Sequence, residues 1–128
     1  MTSPPSAAAG LRIVAVEDET LIALDLQDML LAAGAREVVI APDIARLSEV
    51  LKVGRPDVAI VNVEPARDGA TVAARLLREA GVPYFFATGV ADPAALDGFE
   101  VPVVVKPYSN DAILSALKRV LEGALRQD

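Results

Sequence analysis

Residues 56–69 read PDVAIVNVEPARDG. Pro56 and Asp57 punctuate the chain, Val58, Ala59, Ile60 and Val61 follow without a polar residue, and Asn62 opens a second irregular stretch that runs to Gly69. A short apolar run that does not alternate with polar residues suits a strand covered on both faces, as in a parallel sheet between two helical layers. Asn62 stands where that strand hands over to its loop. In an open parallel sheet this is the edge where ligands and reactive groups collect, and an amide is not a reactive nucleophile.

Working outward, further β-branched and aromatic runs stand at 11–16, 37–41, 84–87 and 101–105. Segments of helical period separate them. Ile22, Leu26, Met29, Leu30 and Ala33 share one helical face, with Gly34 placed as its C-terminal cap. Ile44, Leu47 and Leu51 mark a second helix between Asp43 and Gly54, and Val72, Ala73, Leu76, Leu77 and Ala80 a third that stops at Gly81 and Pro83. Asp92-Pro93 opens a short fourth that ends near Gly98, and Ser109 opens a fifth along Ile113, Leu117, Val120, Leu121 and Ala124. Five alternating strand and helix units predict a flavodoxin-like (βα)5 fold, a five-stranded parallel sheet of order 2-1-3-4-5 with helices on both faces. Five units are too few for an eight-stranded barrel. The segment after the first run reads AVEDET rather than a glycine-rich fingerprint, which excludes dinucleotide binding.

A chain of 128 residues with 53 % apolar residues supports one domain with a real core. Residues 1–9 are expected to form a loose arm, with the folded domain over 10–126. The opening lacks a basic region before an apolar one and is not a signal peptide. No apolar run approaches the roughly 20 residues of a membrane span, so no membrane partner and a cytoplasmic location are expected. A net charge of −6 with scattered basic residues argues against nucleic acid. There is no cysteine and no histidine, which leaves Asp, Glu, Lys, Ser and Thr to carry any chemistry.

The expected topology gathers those residues. The first strand runs into Glu17-Asp18-Glu19, the third into Asn62 with Glu64 two residues on, the fourth into Thr88-Gly89 and the fifth into Lys106-Pro107. Carboxylates and carbonyls suit Mg²⁺, and a hydroxyl and an ammonium suit phosphoryl oxygens. Each also has a plainer reading: acids favour a helix N-terminus, Lys106 can lie along the surface, and Glu64 can be an ordinary loop acid.

Four ordered signatures, VEDE after the first strand, the end of the third, FATG after the fourth and VVKPYS after the fifth, resemble the receiver domains of bacterial two-component response regulators, and the FATG run is similar to single-domain alphaproteobacterial receivers. The resemblance covers nearly all of residues 10–126. It implies that Glu17 and Asp18, position 62 and the Glu64 carbonyl hold Mg²⁺, and that Thr88 and Lys106 contact the phosphoryl group. It also implies a histidine kinase or histidine phosphotransferase as partner, with a downstream regulator beyond it, and a monomer or weak dimer.

Two positions depart from that pattern. The phosphoacceptor Asp of the family falls on Asn62, whose amide is not a useful nucleophile toward phosphorus. The form written here is therefore expected to bind partners without being phosphorylated, and to hold Mg²⁺ weakly. Whether the amide is an alteration of a working receiver or marks a phosphorylation-independent adaptor stays open. The second departure is Val103, three positions before Lys106, where many receivers carry an aromatic switch residue. Any switching would then use another element, such as the loop over 89–101. A Mg²⁺-dependent phosphohydrolase with Asp18 as nucleophile is the rival enzyme reading. It lacks a second Asp two residues on, where Thr20 stands.

Overall fold

The described residues form, in order, β1 (Arg12–Val16), α1 (Thr20–Ala32), β2 (Glu37–Ala41), α2 (Ile44–Val53), β3 (Val58–Val61), α3 (Gly69–Ala80), β4 (Tyr84–Thr88), β5 (Val103–Val105) and α4 (Asn110–Leu125). They come from a computed structural model that describes residues 6–62, 69–88, 101–105 and 109–125. The strands form one sheet of order β2-β1-β3-β4-β5 with every pair parallel. This is the expected flavodoxin-like topology. The fifth strand is shorter than its apolar run, starting at Val103 rather than at 101. The helix expected between Asp92 and Gly98 lies outside the described residues.

Period-two alternation divides the strands between two cores. Val14 and Val16, Ala59 and Val61, and Tyr84 and Phe86 face α2 and α3, where Leu47, Val50, Ala73 and Leu77 meet them. Ile13 and Ala15, Val58 and Ile60, and Phe85 and Ala87 face the other way, against Leu26 and Leu30 of α1 and Ile113 and Leu117 of α4. Both faces are dry, which is why these strands carry no polar alternation.

The helix ends follow the residues named for them. The Asp43 side chain accepts the Arg46 N–H at 2.8 Å, and the Ser109 hydroxyl accepts the Ala112 N–H at 3.1 Å. At the end of α1 the Gly34 N–H reaches the Leu31 carbonyl and the Ala35 N–H the Leu30 carbonyl, with Gly34 at φ +104°. This double bond and left-handed turn form a Schellman cap. Gly34 is required twice over, since a Cβ there would also lie 3.3 Å from the Ala9 Cα.

That contact belongs to a segment the composition reads as a loose arm. Residues 6–9 instead lie against the end of α1. The Ser6 hydroxyl donates to the Ala33 carbonyl, the Gly10 N–H donates to the Gly34 carbonyl at 2.8 Å, and Ala8 is buried in the α1–α4 core. Small side chains suit this close approach to the helix end.

One buried group in the other core is poorly served. The Tyr84 hydroxyl has no well-formed hydrogen bond among the described residues, although its ring packs edge-on against Phe86 at 5.6 Å. Burial pushes its pKa up, and the Arg78 guanidinium lowers it only in part. The unfolded chain ionises this phenol above about pH 10 while the folded chain resists, so its contribution to stability is present below that pH and is lost above it. Tyr84→Phe is expected to stabilise the domain by about 1 kcal/mol at neutral pH and to flatten the decline above pH ~10, read by urea midpoints across pH.

Candidate functional site

The register fixes what meets at the carboxyl edge. Val16 pairs with Val61, and the ladder runs one residue past both strands: the Asn62 N–H donates to the Val16 carbonyl at 2.8 Å and the Glu17 N–H to the Ala41 carbonyl at 3.0 Å. Glu17 and Asn62 are thereby held side by side at the point where strand order reverses, between β1 and β3. Thr88 ends β4 next door and pairs with Val105, the last residue of β5. Lys106 itself, Pro107, Gly89 and Glu64 lie outside the described residues.

Glu17 is 2 % exposed, a carboxylate withdrawn from water. Its Oε1 accepts a hydrogen bond from the Asn62 Nδ2, and its Oε2 accepts the Glu19 N–H at 3.0 Å. The second bond comes from the residue that caps α1, where the positive end of the helix dipole favours an anion. The first fixes the orientation of the Asn62 amide, because turning its oxygen toward the carboxylate would set two acceptors face to face. Asp18 and Glu19 are exposed by contrast. The acidic triplet is therefore not a uniformly solvated helix cap: its first member is an internal group, and neither the Glu19 side chain nor an acid in the first turn caps α1.

The described donors do not assemble a Mg²⁺ site. No group of three Asp or Glu side chains converges among the described residues. Glu17 spends an oxygen on each of two protein N–H donors, and Asn62 offers it an N–H rather than offering an ion its oxygen. Asp18 is the acid left facing outward. Val103 lies in β5 and packs, half-buried, against the α2–α3 core, as an ordinary sheet residue does.

Sequence reasoning placed Glu17 and Asn62 on the same edge but did not pair them. The available signal was the register: β1 and β3 end opposite one another at Val16 and Val61, so the polar residue that follows each strand stands beside the other.

The fold is shared with proteins of known structure. No protein-family model matches the chain. The structure superposes on the signal receiver domain of a modulated diguanylate cyclase from Desulfovibrio desulfuricans G20 with a TM-score of 0.77 at 22 % identity, over 91 % of this chain and 97 % of that one. It superposes on a response regulator receiver protein from Sinorhizobium medicae WSM419 with a TM-score of 0.75 at 25 % identity, over 90 % and 97 %. The fold is that of a signal receiver domain. The anti-anti-sigma factor PhyR from Bartonella quintana shares it over 49 % of its length, with a TM-score of 0.76 at 22 % identity. In sequence, the chain is 30 % identical over 122 residues to the transcriptional regulatory protein PdtaR of Mycobacterium tuberculosis, strains CDC 1551 and H37Rv, matching 91 % of this chain and 60 % of the relative. The chain thus spans 60 % of the length of those relatives. No described helix is long and apolar enough to cross a membrane.

Proposed function

We propose that this chain is the receiver module of a two-component phosphorelay, that residues 10–126 form the module, and that it acts in the cytoplasm by binding proteins rather than by carrying a phosphoryl group. The observation that carries this reading is Asn62, which stands at the end of β3, beside Glu17, on the edge where a receiver presents its acceptor carboxylate. Thr88 and Lys106 hold the positions that contact phosphoryl oxygens in receivers, but the amide supplies no nucleophile for them to serve. The Glu64 carbonyl and Asp18 keep the positions that the resemblance assigns to the metal.

The partner surface we assign is α1. Leu21 is 78 % exposed, and Leu24 and Leu31 stand out with it among Asp25 and Asp28. A face of large apolar residues among acids suits a helical surface on a histidine kinase or a histidine phosphotransferase, with a downstream regulator as the alternative acceptor. The test is binding to a panel of purified kinase dimerisation domains and phosphotransferases by calorimetry. A partner is expected to bind the unphosphorylated chain, and Leu21→Glu with Leu24→Glu is expected to weaken it at least about tenfold, or 1.4 kcal/mol, without lowering the melting temperature. Unchanged affinity in that variant would remove α1 as the docking face.

A further inference from the structure

The acidic pocket of a receiver fold is expected to need a cation, because carboxylates gathered at one edge repel one another and lose hydration when buried. Here the buried carboxylate among the described residues, Glu17, is already served. Asn62 Nδ2 donates to one oxygen of Glu17 and the Glu19 N–H to the other, and α1 turns its positive end toward the same group. Asp18 and Glu19 remain in water, where their charges are screened.

We propose that the Asn62 amide stands in for the divalent cation: it ties the end of β3 to the end of β1 through Glu17 and makes the pocket independent of Mg²⁺. This rests on the geometry of the pair, and it holds whether or not the module docks on a phosphorelay partner. The sequence alone leads to a different expectation, weak Mg²⁺ binding through Glu17, Asp18, Asn62 and Glu64.

The geometry also says what happens when the amide is lost. A carboxylate at position 62 would keep the backbone bond to Val16 but face the Glu17 Oε1 without a proton to share. A buried acid and a half-buried one in contact repel each other and do not both stay ionised without a counter-charge. The metal requirement would then appear through one substitution.

The experiment measures thermal unfolding of the full chain and of Asn62→Asp in EDTA, in about 10 mM MgCl₂, and in NaCl matched for ionic strength, the last to separate site binding from screening. The unaltered chain is expected to melt within about 1 °C in all three, and Asn62→Asp to melt about 5 °C lower in EDTA and to recover most of that loss in MgCl₂ but not in NaCl. Should Asn62→Asp fail to fold in EDTA, Glu17→Gln in the same chain restores a donor to the pair and is expected to recover a folded, Mg²⁺-insensitive domain. An NMR titration of the unaltered chain with MgCl₂ supplies a second reading, with the amides of 17–19 and 62 expected to hold still. Saturable Mg²⁺ shifts there, or a Mg²⁺-specific rise in melting temperature of the unaltered chain, would overturn the proposal. So would an Asn62→Asp variant as stable in EDTA as its parent.

Discussion

Asn62→Asp is expected to take up one phosphoryl group from a small acyl phosphate in magnesium buffer, converting a binding module into an acceptor by a single substitution. The new carboxylate oxygen would attack phosphorus, a P–O bond to the protein would form, and the bond to the acyl oxygen would break, leaving a free carboxylate as the departing group. Transfer of this kind depends on placement and charge rather than on elaborate covalent chemistry. The placement is already made by backbone: position 62 is pinned by its N–H to the Val16 carbonyl, one residue beyond β3. The resemblance puts Thr88 and Lys106 on the transferred oxygens. Intact mass after incubation reads the outcome, and peptide mapping should assign the group to position 62. A variant that is folded by circular dichroism yet unmodified would show that Thr88 and Lys106 no longer form a phosphoryl site, and it would favour the adaptor reading throughout.

The second large effect lies in the core. Phe85→Ala is expected to cost about 3–5 kcal/mol, a large share of the roughly 5–15 kcal/mol that holds a domain together. Phe85 is the largest buried side chain of the face that α1 and α4 cover, and it pairs in register with Ile60 in the middle of the sheet. Its neighbours on that strand, Tyr84 and Phe86, point to the opposite core and cannot swing across to fill the space. Sheet backbone on one side and two helices on the other leave little room for collapse, so the cavity term adds to the lost transfer energy. Urea unfolding should show the midpoint falling with the slope unchanged. Leu21→Ala, on the exposed face of α1, should stay within about 0.5 kcal/mol of the parent in the same measurement.

Much of the architecture was legible because burial on both faces leaves a simple trace. Val58 to Val61 and the runs around Val14 and Phe85 have no polar alternation, and the caps at Asp43, Ser109, Gly34 and Gly81 bracket the helices between them. The orientation of α1 was less so. Leu21, Ile22, Ala23, Leu24, Leu26, Met29, Leu30 and Leu31 surround the helix with apolar side chains, so the period that sets Ile22, Leu26, Met29, Leu30 and Ala33 on one face is weak and only partly marks the buried side. The structure buries Ala23, Leu26 and Leu30, leaves Ile22 and Met29 half-covered and exposes Leu21. The packing of Ala8 was hidden for the opposite reason. Serines, prolines and alanines read as an arm, and only the close approach of Ala9 to Gly34 shows why small residues stand there.

The candidate site was legible as a list of residues and not as a state. Placing Glu17 and Asn62 on one edge needed only strand order. Finding that the acid is internal and holds the amide needed the register beyond the last paired residues, because an acid at the end of a strand ordinarily reads as solvent-exposed. That single contact changes the meaning of Asn62 from a missing nucleophile to a group with its own structural task.

The central claim is that the chain as written signals without carrying a phosphoryl group, and its most direct test is the intact mass of the unaltered protein after incubation with a phosphorylated histidine kinase and, separately, with an acyl phosphate, both in magnesium buffer. An unchanged mass is the predicted result with either donor. A gain of one phosphoryl group, mapped to Asp18, Glu64 or any other acid of the pocket, would contradict the account.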